Sequence, residues 1–210
     1  MSTPQEPQWL QWARRLQAIA QNGITYATQP FDLERYHQVQ AVAAEMMAAG
    51  ADMPVAKIEG LFAEELGYAT PKVDTRGVVF RDGALLLVRE AADGRWSLPG
   101  GWADIHESPS ENVVREIFEE SGFQTRVVKL LALYDRSRHP HVPVRPYRLY
   151  KLFFRCEIVG GEPRNSIETS GVGFFREDEL PEISVSRVTP GQIARMFEHD
   201  RNPDLPPDFD

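Results

Sequence analysis

An α/β domain of mixed α+β character, preceded by a small all-helical domain, is the fold class that this 210-residue sequence predicts. Three observations predict it. Residues 1 to about 70 place apolar side chains at helical spacing in three segments separated by turn signals. From Val73 onward the pattern changes to runs rich in branched residues, the first two joined by Asp82-Gly83, a hairpin signal. Among these runs lies one helix with both a start and a stop written into it: Ser108, Pro109 and Glu111 before, Gly122 after.

In chain order, the first segment sets Trp9, Ala13, Leu16 and Ala20 on one face, with Trp12 and Ile19 flanking, and Asn22-Gly23 predicts its end. The second begins after Phe31 with Asp32 as its cap, carries Leu33, Tyr36, Val39, Ala43 and Met46 on one side, and ends near Gly50. The third starts at Pro54, groups Val55, Ile58, Phe62 and Leu66, and stops at Gly67. Three short helices make a small core, so this segment is expected to pack on another surface, either the rest of the chain or a second copy. A two-fold homodimer is the expectation, because the apolar face exceeds what three such helices bury among themselves. Strands follow as VDTRGVVF, ALLLVRE, VVKLLALYD, YRLYKLFFRCEIV and VGFFR, and Thr189-Pro190-Gly191-Gln192 opens a last helix through Phe197. The domain boundaries read as 1–70 for the helical domain, 71–202 for the α/β domain and 203–210 for a loose, acidic, proline-rich tail.

The chemistry concentrates on the capped helix. Glu116, Glu119 and Glu120 stand at i, i+3 and i+4, so three carboxylates project from one face and repel one another. A compensating cation is expected, and oxygen-only ligands point to magnesium, with manganese as the alternative. Arg115 can pair with Glu119 one turn on or with Glu107 beyond the helix start. Taken alone, the spacing also fits a solvated acidic face with one internal ion pair.

The register of the whole run decides between those readings. Gly101, five residues, Glu107, seven residues, Arg115-Glu116, Ile117, Phe118, Glu119-Glu120, Ser121, Gly122 and Phe123 together resemble the Nudix box without departure. The box covers about a tenth of the chain, and the surrounding strands extend the resemblance to the Nudix α/β/α sandwich with a mixed sheet. The helical start resembles the Nudix subgroup with an amino-terminal helical domain, which includes bacterial CDP-choline pyrophosphatases. The resemblance implies that Glu116, Glu119 and Glu120 bind divalent cations with the Gly101 carbonyl, and that Glu107 and Arg115 orient the cluster. It also implies a metal-dependent pyrophosphohydrolase of a nucleoside diphosphate linked to another group, CDP-choline or ADP-ribose first. RNA 5′ ends are a further option, and a nucleotide-binding regulatory module without catalysis is the rival from another class.

Other residues enter as expectations. Glu168 follows the Gly160-Gly161 turn, and Nudix enzymes often carry an extra acidic residue in this region, as a metal ligand or general base. Glu116 and Glu120 are alternative bases. Arg76 and Arg89 on flanking strands, and Arg136 and Arg138 in the long basic loop 135–148, are expected to contact substrate phosphates. Cys156 lies in an apolar strand, which predicts an inert buried thiol in a reducing, cytoplasmic setting. A net charge of -8, and eight acidic against four basic residues in the helical segment, argue against DNA binding. No apolar run reaches membrane-spanning length, and the amino terminus lacks a basic region followed by an apolar core.

Overall fold

The computed structural model describes residues 7–210, so residues 1–6, and with them the start of the expected helical segment, lie outside the described residues. The chain divides into two compact units. One holds the described residues through Pro71 together with Val144–Arg148, and the other holds Lys72–Pro143 and Leu149–Asp210.

The helical unit contains α1 (Gln8–Tyr26), α2 (Pro30–Ala51) and α3 (Val55–Ala63). Its core joins Leu10 and Ala13 of α1 to Ala43, Ala44, Met47 and Ala48 of α2 and to Ile58 and Phe62 of α3. Each of the larger buried side chains contributes about 1.5–3 kcal/mol by its removal from water. Three expected boundaries move. Helix α1 runs through Asn22-Gly23 to Tyr26 because Gly23 is a contact point: a Cβ there would come within 2.3 Å of the Tyr36 ring. Helix α2 starts with Pro30 in its first turn, and Asp32 lies inside that turn without capping it. Helix α3 ends at Ala63, which leaves Leu66 outside the core and exposed. Trp12, Ile19, Tyr26, Phe31 and Val42 are also exposed on this unit.

The second unit is built on strands β1 (Lys72–Arg81), β2 (Ala84–Glu90), β3 (Trp96–Ser97), β4 (Phe123–Asp135), β5 (Leu149–Gly161), β6 (Thr169–Phe175) and β7 (Asp208–Phe209). Their order is β3-β2-β1-β5-β4-β7, with β6 pairing β2. The sheet is mixed. Strands β1 and β5 run parallel, while β4–β5, β1–β2 and β2–β6 are antiparallel. The β1–β2 hairpin turns at Asp82-Gly83, both with positive φ, as the dipeptide predicts. Alternation along the strands sends side chains to two cores. Val79, Leu86, Phe123 and Phe154 meet Val113 and Ile117 of α4 (Pro109–Ser121) on one face. Val78, Leu85, Leu87 and Phe153 meet Ile193, Met196 and Phe197 of α5 (Pro190–Arg201) on the other. The result is the expected α/β/α sandwich. Gly77 lets α4 lie close on β1, since a Cβ there would stand 2.4 Å from Ile117 Cδ1.

The closing segment corrects an expectation. Residues 203–210 are not loose: Asp208–Phe209 form β7 beside β4. The Asp208 carboxylate accepts from Tyr134 Oη at 2.9 Å and from Arg195 Nη2 at 2.6 Å. Lys129 Nζ donates to the carbonyls of Pro203 and Leu205. Charge complementarity thus fixes a tail whose composition alone argued for disorder. Cys156 is buried as expected, and burial pushes its thiol up to about 12. Among the described residues no helix is long and apolar enough to cross a membrane.

Candidate active site

Helix α4 begins with the capping box that its sequence predicts. Ser108 accepts from Glu111 N, the Glu111 side chain accepts from Ser108 N at 2.9 Å, and Pro109 occupies the first turn. It ends on Gly122, whose φ of 80° only glycine adopts without strain. These caps fix where the glutamates stand.

Arg115 binds four carboxylates at once. Its Nε donates to Glu107 Oε1 at 2.9 Å, its Nη1 to Glu119 Oε2 at 2.7 Å and its Nη2 to Asp104 Oδ2 at 2.9 Å. The same Nη2 lies 3.2 Å from Glu116 Oε1. The pairing that the spacing left open, Glu107 or Glu119, is therefore both. Desolvation works against the Glu107 charge, yet the hydrogen bonds from Arg115 and Asn112 hold its carboxyl below the usual range. Glu116 goes the other way: burial is the largest cause, with Glu119 adding to it, and together they outweigh Arg115 and raise its pKa.

Glu120 is the most confined carboxylate of the three, at 6% exposure. Burial pushes it up to about 8, and the neighbouring Glu90 and Glu116 add to the rise. Arg76 and the Gly100 N–H oppose it, the latter donating to Glu120 Oε2 at 2.8 Å. Gly100 reaches that position with φ of 131°, where a Cβ would come within 2.1 Å of the Thr75 carbonyl. Gly101 places its backbone against Glu116; an added Cβ would lie 3.3 Å from the carboxylate, and its own carbonyl accepts from Thr75 N at 2.9 Å.

Glu116, Glu119, Glu120 and the Gly101 carbonyl are oxygen donors of the kind that hard divalent ions take, and the raised carboxyls mark a place short of positive charge. The donor set fits such an ion. Among the described residues, however, no group of three or more His, Cys, Asp or Glu side chains is gathered into a cluster that could hold a metal. Glu119 is turned onto Arg115 and half-exposed, and Glu120 onto Gly100.

The predicted arginines divide. Arg76 lies beneath the site, buried, with Nε and Nη2 on Asp74 at 2.9 and 2.7 Å and Nη1 on the Leu98 carbonyl. A guanidinium so engaged is unavailable to a substrate phosphate, so that expectation is corrected. Arg136 is likewise buried and donates to the Pro143 carbonyl at 2.8 Å, which makes it a brace of its own loop. Arg89 and Arg138 are exposed, Arg89 holding the Gly94 carbonyl with its Nε. Glu168 is also exposed, in a loop fastened to the helix by its neighbour: Thr169 Oγ1 donates to the Glu120 carbonyl at 2.7 Å.

Several site residues escaped the sequence reading. Buried Asn112 bridges Thr75 Oγ1 at 2.6 Å, the Trp102 carbonyl and Glu107. It lies four residues before Glu116, so helical spacing alone puts it on the same face. Asp74, held low by Arg76 and Lys151 against the effect of burial, anchors the layer below. Glu90 accepts from Ser97 Oγ at 2.6 Å and pairs with Arg187 at 2.8 Å. Lys151, 1% exposed at the side chain, is signalled by strand alternation, since Leu149 and Phe153 on either side of it also point inward.

Comparison with known proteins gives two family matches: the family described as NUDIX domain matches residues 71–196, and the one described as UDP-X-like, N-terminal oligomerisation domain matches residues 7–62. A Bacillus subtilis (strain 168) protein, YjhB, provisionally named an ADP-ribose pyrophosphatase, is 45% identical over 205 residues, 98% of each chain. The crystal structure of a Streptococcus suis ADP-ribose pyrophosphatase is similar at 38% identity and TM-score 0.61, covering 67% of this chain and 100% of that one. A crystal structure of a UDP-X diphosphatase is similar at 30% identity and TM-score 0.63 over 100% of both chains.

One stability prediction follows from the raised Glu120 pKa. Between its ordinary value of 4.5 and about 8, the folded chain holds a proton on Glu120 that the unfolded chain releases, so this group makes stability fall as pH rises through that window. In thermal unfolding with EDTA, Glu120→Gln should melt a few degrees above the unsubstituted protein at pH 8, with the gap closing at pH 5. Equal melting at both pH values would contradict the assigned burial.

Proposed function

The chain belongs to the Nudix family and is a Nudix hydrolase, and on that premise we propose that it hydrolyses a nucleoside diphosphate linked to another group, with ADP-ribose as the leading substrate. The observation that carries this reading is the face of α4, where Glu116 and Glu120 are raised by burial and Arg115 gathers the flanking carboxylates. The names of the Bacillus and Streptococcus relatives support ADP-ribose. A second reading, UDP-linked compounds, is favoured by similarity over both units to the UDP-X diphosphatase, and CDP-choline remains a further candidate.

Glu116, Glu119 and Glu120 with the Gly101 carbonyl would hold a divalent cation, magnesium first and manganese as the alternative. Such an ion, when bound, supplies stabilisation of the negative charge that develops on the diphosphate. The residues of the chain do the rest. Gly100 N–H holds Glu120 in one orientation, and Glu107 through Arg115 does the same for Glu116 and Glu119. Water attacks one phosphorus, the bond to the bridging oxygen breaks, and a nucleoside monophosphate and a phosphorylated second group leave. A carboxylate accepts the proton of the attacking water; Glu168, on a loop fastened beside Glu120, takes this role ahead of Glu116 and Glu120. Arg89 and Arg138 contact the outer phosphate. The helical unit joins two copies into a homodimer, a reading supported by its family description and by exposed Trp12, Ile19 and Phe31. A cytoplasmic setting belongs to the same proposal.

Phosphate release coupled to a phosphatase, with magnesium, should show hydrolysis of ADP-ribose at a higher kcat/KM than of UDP-glucose or CDP-choline. Glu120→Gln should lower turnover by about 10²–10³, the loss expected when a charge-stabilising group is misplaced. Glu168→Gln should lower it by about 10²–10⁴ with KM nearly unchanged, as for a base that acts only in the transition state. An unchanged Glu168→Gln rate returns the base to the helix, and no hydrolysis of any nucleoside diphosphate compound sinks the reading. Light scattering at tens of micromolar should give twice the 23.8 kDa chain mass; a monomer mass defeats the dimer.

A further inference from the structure

We infer that the helical unit carries a binding pocket for a planar nitrogen heterocycle of the nucleobase class, recognised by the side-chain amide of Gln17. Helix α1 presents a polar stripe at Arg14, Gln17 and Gln21, three and four residues apart and so on one face. The outer two have defined tasks. Arg14 Nε donates to the Arg145 carbonyl at 3.0 Å, and Gln21 Nε2 donates to the Gly67 carbonyl at 3.0 Å. Asn22 Oδ1 adds a bond from Ala69 N at 2.7 Å. These contacts fasten two loop segments against α1 and leave between them a recess of about 130 Å3, lined by Gln17, Leu61, Phe62 and Tyr147 among others.

Gln17, in the middle of the stripe, is 7% exposed, and neither its Nε2 nor its Oε1 has a hydrogen-bond partner. A buried amide left unpaired is destabilising, and Leu or Met would fill the same space without that cost. A ligand that supplies an acceptor beside a donor removes it. The Watson–Crick edge of a nucleobase has that pair, and a carboxamide, which can turn over, answers it with one donor and one acceptor. Phe62 and Tyr147 give the recess the aromatic lining on which a flat ring packs. The volume suits one ring system and is too small for a peptide helix. This site is independent of the diphosphate chemistry proposed for α4, and a phosphate-free probe keeps the two apart.

Adenosine and uridine are titrated into the full chain in EDTA, followed by calorimetry and by the side-chain amide signal of Gln17 in nitrogen-15 NMR spectra. At least one nucleoside should bind saturably, once per chain, and shift that signal. Binding should weaken at least tenfold in Gln17→Leu and Gln17→Met, each checked for retained helicity, and should persist in Glu120→Gln. The inference is overturned if neither nucleoside saturates the protein, if the Gln17 amide signal stays in place at saturation, or if the Gln17 variants bind as tightly as the parent. The NMR readout needs no substitution, so it decides the matter even if a variant fails to fold.

Discussion

The crowding of carboxylates on one helix, and the two arginines that make it tolerable, is the constraint on which the rest of the second unit depends. Arg115 bridges Asp104, Glu107, Glu116 and Glu119 from the solvent side. Arg76, from below, is locked to Asp74 and acts on Glu120 and Glu90 through its charge. The planar guanidinium suits both places, because its fork of donors can serve several oxygens at fixed angles where an ammonium offers a single point. Even so, the compensation is incomplete. Burial still raises Glu116 and Glu120, so the face retains a demand for positive charge.

The backbone around the helix is arranged to keep those charges in place. Gly77 permits α4 to lie close on β1, Gly100 directs its N–H at Glu120, and Thr169 ties the Glu168 loop to the helix end. Two cores, one under α4 and one under α5, clamp the sheet from both faces. The carboxylates therefore sit on a rigid element whose caps and packing are already satisfied, which is the condition for holding reacting groups within small tolerances. The tail adds to this frame by closing the β4 edge, with Asp208 fixed between Tyr134 and Arg195.

Much of this was legible in the sequence wherever local rules and tertiary demands agree. The capping box at Ser108, the stop at Gly122, the Asp82-Gly83 turn and the opening of α5 at Thr189 all form as their residues predict. Where a residue serves a distant partner, local reading failed. Gly23 reads as a stop yet is a contact for Tyr36, and residues 203–210 read as loose yet find partners on β4 and α5. Arg76 and Arg136 read as phosphate contacts, and burial with defined acceptors makes them internal struts. Asn112 and Lys151 were accessible from helical and strand periodicity, but polar residues facing inward become meaningful only when their partners, Thr75 and Asp74, are known to be near. Gln17 is the mirror case: its inward position on α1 follows from periodicity, while its lack of any partner is visible only in the folded unit.

We propose that the α4 face is an acidic site completed by a divalent cation, with Glu120 protonated until the cation arrives. Calorimetric titration of magnesium into the metal-free protein at pH 7, in two buffers of different ionisation enthalpy, tests it most directly. Because Glu120 is pushed up to about 8, binding should expel close to one proton per chain, read as a heat that changes with the buffer. Binding with no buffer dependence, or no binding at millimolar magnesium, would contradict the account.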